Sequence, residues 1–177
     1  NIIKTKNGFS FKLDKNWFDY ISKFNANLIP LGFDKFNIEK IDHLKLDGII
    51  ISGGGDIYNI NKKKSNLIRD KFEYRLVSYF KKKNKPILMV CRGFQLMAVK
   101  LENKIIKINK HIKTHHKVEI FNNRYFKNFS SLNTNSYHNF GIPNLNKHFE
   151  ILGKSKDNYI EFAKIKKKKI YCMMFHP

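Results

Sequence analysis

The stretch that decides the fold is PILMVCRGFQLMAV, residues 86–99. Its four apolar residues, Ile87 to Val90, predict a strand buried on both faces, and the residues after them have helical spacing. Cys91 stands at the junction. A side chain at such a turn is displayed beside the free N–H groups of the helix, which favour a thiolate. Cys91 is therefore a candidate nucleophile, and the alternative is a small buried hydrophobe, the usual fate of a free cysteine.

Length and composition predict one globular domain over residues 1–177. A hydrophobic content of 42%, with 16 Phe and 8 Tyr, supports a packed core and argues against disorder. No apolar run approaches the ~20 residues that span a membrane, and no signal peptide is evident, so we expect a cytoplasmic protein with no membrane contact. Cys91 and Cys172 form neither a disulfide framework nor a metal-ligand pair, and Cys172 is predicted to be core.

The charge is strongly positive, at +21 from 35 Lys+Arg against 14 Asp+Glu. Such a charge raises the question of nucleic-acid binding. Most of it is lysine, in short runs at residues 62–64, 81–83 and 166–169, which is typical of solvated turns. Arginine, the better residue for bidentate phosphate contacts, is scarce. We therefore interpret the charge as mostly solvated surface that argues against a nucleic-acid partner and can attract an anionic substrate.

A second strand is predicted at Gly48 to Ser52, and it ends in the glycine turn Gly53-Gly54-Gly55. Consecutive glycines let a backbone approach a ligand and turn its N–H groups inward, although a flexible turn is the simpler alternative. The longest helix is expected over Ser65 to Lys83, with an apolar residue at every fourth position from Ile68 to Phe80. Asp70 and Glu73 near its start are expected to complement the helix dipole.

The remaining elements are shorter. Asp14 is expected to cap a helix with Trp17, Ile21 and Phe24 on its apolar face. Further strands are predicted at residues 27–33, 104–108, 117–121, 133–137, 159–165 and 170–175, a short helical stripe at residues 38–44, and an irregular segment at residues 1–13. Helices alternating with strands, followed by a series of strands, predict an α/β sheet with an antiparallel extension. Ligands bind such sheets at the carboxyl ends of the strands.

Together these residues resemble the class I glutamine amidotransferase-like hydrolases, and within them the γ-glutamyl-GABA hydrolase group of γ-glutamyl amide hydrolases. The matching pieces are DGIIISGG (47–54) with Asp56 and Tyr58, Arg69-Asp70 with Glu73, PIL (86–88) before CRGFQ (91–95), NSYH (135–138) and FHP (175–177). The resemblance implies a three-layer, flavodoxin-like mixed sheet, mostly parallel, with the antiparallel extension.

The resemblance also implies roles for particular residues. Cys91 would be the nucleophile and His176 its acid–base partner, with the backbone N–H groups of Gly54 and Arg92 as oxyanion hole. Substrate would be bound by Gly53, Gly55, Gln95, Ser136, Tyr137 and His138. Simpler interpretations exist for Gln95 as a backbone cap and for His138 as a surface loop residue. No cofactor and no metal is expected.

The family pattern extends beyond both ends of this sequence. The family's triad ends in a Glu two residues after the His, and its fold opens with a buried strand. We therefore expect a first strand before Asn1 and a Glu directly after Pro177, so that the domain would be incomplete at both ends of this chain.

A local group of histidines, His111, His115 and His116, is the one pattern that raises the question of a metal. No Cys or carboxylate at ligand spacing joins them. The pattern favours exposed loop histidines over a metal site.

The sequence thus leaves three functions open. The first is a cysteine hydrolase that cleaves a γ-glutamyl amide on a small molecule, with γ-glutamyl-GABA or a nucleotide phosphoramidate conjugate as substrate. The second is a glutaminase that supplies ammonia to a synthase partner. The third is a nucleic-acid-binding module with an inactive site. The oligomeric state is left open.

Overall fold

The computed structural model describes residues 2–5, 8–11, 13–32, 38–121, 125 and 129–176. Its helices are α1 (Asn16–Ser22), a 3₁₀ helix (Ile38–Leu44), α2 (Lys64–Lys82) and α3 (Arg92–Lys100). Its strands are β1 (Ile2–Thr5), β2 (Gly8–Phe11), β3 (Ile49–Ile51), β4 (Ile87–Val90), β5 (Ile106–Lys107), β6 (Ile112–Ile120), β7 (Ser131–Tyr137), β8 (Phe140–Gly141), β9 (Phe149–Ser155), β10 (Ile160–Ile165) and β11 (Ile170–Met173).

A seven-stranded mixed sheet in the order β3-β4-β11-β10-β9-β6-β7 organises the described residues. The pairs β3/β4 and β4/β11 are parallel, and the remaining four pairs are antiparallel. The α/β class with an antiparallel extension is confirmed. The parallel part is smaller than the majority that the family resemblance implied, because the chain returns through hairpins after α3.

The sheet carries a layer on each face, as the alternation of its side chains requires. Ile87, Met89 and the buried residues of α2 and α3 form one core cluster. Val90 and Met173 point the other way and pack with Trp17 of α1. The three-layer architecture is therefore present, with Cys91 at the end of β4, which lies between β3 and β11.

Several local predictions were wrong. Phe24 and Ile68 are 62% and 46% exposed, so the apolar stripes of α1 and α2 are shorter than their periodicity indicated. The described part of the predicted strand at residues 27–33 is irregular, and residue 33 lies outside the described residues. Strand β9 was missed, although it lies at the centre of the antiparallel part. In the described part of the chain, no helix combines the length and the apolar character needed to cross a membrane.

A network of buried charges joins α2 to α3. The Arg92 guanidinium is 1% exposed and binds the carboxylates of Asp70 and Glu73, and Arg69 Nε donates to Glu73 Oε1 at 2.7 Å. Asp70 also accepts from the Tyr58 N–H at 2.8 Å. The expectation that the two carboxylates serve the helix dipole was wrong. Burial raises the pKa of Asp70 and lowers the pKa of Arg92, which shows that the network is held against a desolvation cost.

Glu73→Gln is expected to lower the free energy of unfolding by about 3 kcal/mol, because two buried guanidinium groups would then share one carboxylate. Urea denaturation measures this change. The matched control is Asp19→Asn, which breaks the exposed Lys15–Asp19 pair at the same four-residue spacing and should change the midpoint little. Equal effects of the two substitutions would contradict a structural role for the network.

Candidate active site

Cys91 occupies a strained turn between β4 and α3. Its φ of 49° is positive, which non-glycine residues seldom adopt, and its N–H donates to the Met173 carbonyl at 2.6 Å. A Cβ at Gly93 would lie 2.7 Å from the Ile51 carbonyl oxygen, so glycine is required for α3 to start this close to β3. The turn thus displays Cys91 above the carboxyl end of the sheet, where the sequence predicted a nucleophile.

Cys91 and His176 meet beside the glycine turn. A Cβ built on Gly53 would lie 2.5 Å from His176 Cε1 and 3.2 Å from Cys91 Cβ. The two predicted catalytic side chains, 85 positions apart in the sequence, therefore flank a single glycine. Any larger residue at position 53 would displace the imidazole.

Two backbone N–H groups point at the Cys91 sulfur, those of Arg92 and Gly54. Gly54 and Gly55 have φ values of 92° and 74°, which a side chain would disfavour. These are the two donors that the resemblance implied for an oxyanion hole, and they converge on one atom.

Arg69 fixes the glycine turn from behind. Its guanidinium donates to the carbonyls of Ser52, Gly53 and Gly54 at 3.3, 3.2 and 2.6 Å. With these carbonyls bound to Arg69, the Gly54 N–H is left to face Cys91. The sequence contained Arg69 within the family motif but gave no sign of this role, which depends on the approach of α2 to the turn.

Burial opposes the ionisation of both side chains in the free protein. Burial raises the pKa of the Cys91 thiol to about 11, and the hydrogen bonds from Arg92 and Gly54 offset only part of that rise. Burial, together with the nearby His138, lowers the pKa of His176, and Asp14 partly opposes the shift. Desolvation of Cys91, which is 7% exposed, outweighs the N–H groups and so opposes the thiolate expected at the helix N-terminus.

The backbone of His176 is held by one side chain of β7. Asn135 Oδ1 accepts from the His176 N–H at 2.8 Å, and Asn135 Nδ2 donates to the His176 carbonyl at 2.9 Å. Both residues line a pocket of about 410 Å³ with Asp14, Asn16, Trp17 and Tyr137. The exposed Tyr137 ring stands edge-on to the His176 ring at 6.0 Å between centroids. The pocket is therefore open on the side of the imidazole.

The other predicted substrate residues are placed differently. Gln95 is 4% exposed and donates to the Phe140 carbonyl at 3.1 Å, so its side chain is tied to β8. Ser136 and His138 alternate with Asn135 and Tyr137 along β7 and therefore point away from the pocket. They are 0% and 3% exposed.

Ser136 and His138 belong to a buried polar group. We define the histidine cluster as His111, His116, His138 and Glu161. His111 is 2% exposed, so the interpretation as exposed loop histidines was wrong for it, whereas His115 is exposed. Burial raises the pKa of Glu161, but the neighbouring His116 and His138 bring it below its ordinary value.

The chain is similar to known proteins along most of its length. The Peptidase C26 family model matches residues 11–177. A gamma-glutamyl-CDP-amidate hydrolase of Campylobacter jejuni is 30% identical over 164 residues, which cover 89% of this chain and 77% of that protein. A glutamine-hydrolyzing GMP synthase of Brachyspira hyodysenteriae is 27% identical over 144 residues, which are 80% of this chain and 26% of the synthase.

The fold has solved counterparts. A candidate GMP synthase component of Thermoplasma acidophilum superposes with a TM-score of 0.71 at 22% identity, over 92% of this chain and 77% of that one. Fold and family together define a class I glutamine amidotransferase-like hydrolase that acts on carbon–nitrogen bonds. The chain belongs to the Peptidase C26 family. The resemblance to the γ-glutamyl amide hydrolases is thereby confirmed.

Alkylation of Cys91 by iodoacetamide is expected to accelerate about tenfold per pH unit from about pH 7 to about pH 9, because only the thiolate reacts and the pKa lies at about 11. Mass spectrometry of the native protein measures the rate. In Cys91→Ala the remaining Cys172, which is fully buried, should stay unmodified. A rate that is already maximal at neutral pH would show that the thiolate is stabilised in the free protein.

Proposed function

We propose that this protein is a cysteine hydrolase that cleaves the γ-glutamyl amide bond of a small conjugate, releasing glutamate and an amine. One observation carries the proposal: Cys91, His176 and the N–H groups of Gly54 and Arg92 converge at the glycine turn. An amide needs a nucleophile, a stabilised oxyanion and a protonated leaving group, and this arrangement supplies all three.

In the first half-reaction, Cys91 Sγ forms a bond to the γ-carbonyl carbon while its proton passes to His176. The carbonyl oxygen becomes an oxyanion that the N–H groups of Gly54 and Arg92 stabilise, and each such donor contributes on the order of 10²-fold to 10³-fold in rate. The carbon–nitrogen bond then breaks, and His176 returns the proton to the departing amine. The product is a thioester on Cys91.

In the second half-reaction, His176 takes a proton from water as the oxygen attacks the thioester. The carbon–sulfur bond breaks, Cys91 recovers a proton, and glutamate leaves. The raised pKa of Cys91 and the lowered pKa of His176 support a proton transfer that accompanies attack, rather than a preformed ion pair. A Glu following Pro177 as the third triad member stays a prediction, and so does a cytoplasmic location.

An anionic, nucleotide-bearing amine is the substrate class that we favour. The pocket beside His176 is lined by Trp17 and Tyr137, whose rings suit a nucleobase. The charge of +21 would attract a phosphoramidate conjugate. The similarity to a gamma-glutamyl-CDP-amidate hydrolase supports the same choice. The small γ-glutamyl substrate, with Gly53, Gly55 and Tyr137 at its site, stays a proposal. The side chains of Gln95, Ser136 and His138 are buried and do not line the pocket, so we no longer propose them as substrate contacts.

Glutamate release is expected to be faster, by at least about tenfold in kcat/KM, from γ-glutamyl-CDP-amidate than from γ-glutamyl-GABA. The Trp17 and Tyr137 rings would favour the nucleobase, and the net positive charge of the chain would favour the phosphates. The preference should shrink as salt is raised, because screening weakens long-range attraction. Coupled glutamate dehydrogenase measures the product. Cys91→Ala is the control and should release no glutamate from either substrate. Equal rates that are insensitive to salt would exclude the anionic substrate while leaving the hydrolase intact.

A glutaminase that supplies ammonia is the second candidate, favoured by the similarity to a glutamine-hydrolyzing GMP synthase. Adding glutamine to the same substrate panel separates the two. A hydrolase of conjugates should prefer the conjugates when alone, whereas a glutaminase would act on glutamine and gain activity with its synthase partner.

Asn135→Ala is expected to lower kcat by about 10-fold to 100-fold and to change KM by less than about threefold, because Asn135 positions His176 and does not contact the reacting atoms. Asn135→Asp keeps the acceptor for the His176 N–H and should recover part of the loss. The control is Asn133→Ala, two residues earlier on the same exposed face of β7. An equal effect of Asn133→Ala would remove the positioning role.

A further inference from the structure

The histidine cluster has buried polar atoms that lack hydrogen bonds. Within the described part of the chain, neither oxygen of Glu161 has a hydrogen-bond partner, and the same holds for Nε2 of His116 and of His138. Glu161 is 0% exposed, and His138 is 3% exposed. A buried carboxylate without a hydrogen bond lowers the stability of the folded state by several kcal/mol. A compensating group is therefore expected between these atoms.

The three separations between histidine nitrogens and Glu161 oxygens are close to those of neighbouring metal ligands. His111 Nδ1 and His138 Nε2 lie 3.6 and 3.5 Å from Glu161 Oε1, and His116 Nε2 lies 3.6 Å from Glu161 Oε2. Hydrogen bonds in proteins are shorter, at about 2.7–3.2 Å. Neighbouring ligands of a tetrahedral ion with bonds of about 2.0–2.2 Å lie about 3.4 Å apart. The ligand atoms of His111, His116 and Glu161 all fall within 4.8 Å of one another.

The outer hydrogen bonds orient the lone pairs inward. His111 Nε2 lies 2.9 Å from Asp157 Oδ2, and His138 Nδ1 lies 3.1 Å from the Phe140 carbonyl. Because a carboxylate and a carbonyl only accept, each of these nitrogens carries the proton. In the neutral form of each ring, the opposite nitrogen then presents a lone pair toward the Glu161 carboxylate. Such an outer partner on the second ring nitrogen is the rule for histidines that bind metals.

A β-bulge places the carboxylate. The register of β10 against β9 shifts between Ile160 and Phe162, so Glu161 is the extra residue. Bulges of this kind redirect a side chain next to functional sites. Glu161 thereby reaches the histidines of β6 and the end of β7, across the intervening strand β9.

We propose that the histidine cluster binds a divalent transition-metal ion of the zinc class, with His111 Nδ1, His116 Nε2, Glu161 and His138 Nε2 as ligands. Nitrogen and carboxylate donors in this number suit Zn²⁺. An entry path exists, since His111 and His116 line a pocket of about 410 Å³ with Lys110, Lys156 and Asp157.

The ion would act as a structural support for the active site. It joins β6, β10 and the end of β7, the strand whose Asn135 holds the His176 backbone. The ion therefore stands behind the catalytic pair and is not assigned a step in the reaction.

The test is metal binding by the whole protein, measured without reference to activity. Cys91→Ala, in which the thiol cannot contribute a ligand, is freed of metal by chelation and dialysed against Zn²⁺, then analysed by elemental mass spectrometry. We expect one Zn²⁺ per chain. At free Zn²⁺ about 100-fold above the Kd, the unfolding temperature should rise by about 5–10 °C. Co²⁺ in place of Zn²⁺ should give the intense visible absorption of a four-coordinate ion.

The matched variants are His116→Gln, which removes a ligand, and His115→Gln, which changes the exposed neighbour. His116→Gln should lose the Zn²⁺ stoichiometry and the Co²⁺ absorption, and His115→Gln should keep both. If His116→Gln does not fold, the comparison of Zn²⁺-loaded and chelated Cys91→Ala still decides the matter. No Zn²⁺ uptake, the spectrum of hydrated Co²⁺, or equal uptake by both histidine variants would overturn the proposal.

Glutamate release by a metal-free protein would leave the hydrolase proposal standing, and metal uptake by an inactive protein would leave the metal-site proposal standing.

Discussion

The buried charge network of Arg69, Arg92, Asp70 and Glu73 is the constraint on which the site depends. Arg92 follows Cys91 directly, and its side chain runs back into α2, so the start of α3 cannot rotate without breaking two buried ion pairs. Arg69 continues the network to the carbonyls of the glycine turn. One set of charges therefore fixes both the nucleophile's backbone and the N–H group that faces it. Burying these charges costs desolvation free energy, and a preorganised site requires that cost.

This arrangement explains why a cysteine with a raised pKa is consistent with a nucleophile. The closeness that lets His176 and Gly54 reach Cys91 also excludes water, and exclusion of water favours the neutral thiol. The N–H groups of Gly54 and Arg92 compensate only in part while the sulfur is neutral. They are better matched to an oxyanion, a full charge that forms on the substrate during attack. Under the proposed mechanism, the site is thus complementary to the transition state more than to the resting thiol.

The sequence predicted the parallel part of the fold and the candidate catalytic pair because those signals are local. Ile87 to Val90, the turn at Cys91 and the three glycines each decide their own conformation. The missed features depend on distant contacts. Strand β9 includes Gly153 and Lys154 among its residues and lacks a simple alternation of apolar and polar residues. Asp70 and Glu73 cannot be distinguished in the sequence from carboxylates that complement the helix dipole, because the fold places Arg92 beside them. The burial of His111 likewise follows from the sheet and not from its neighbours in the chain.

Strand β7 shows how the catalytic pocket and the histidine cluster depend on each other. Its alternation sends Asn135 and Tyr137 toward His176, and Ser136 and His138 toward Glu161. A shift of β7 by one residue would exchange these two sets, placing an amide in the cluster and an imidazole beside His176. The register is fixed in part by the Ser136 hydroxyl, which donates to the His111 carbonyl at 2.7 Å. An interaction that stabilises the histidine cluster therefore also holds the position of the His176 imidazole, although the cluster lies on the opposite face of β7.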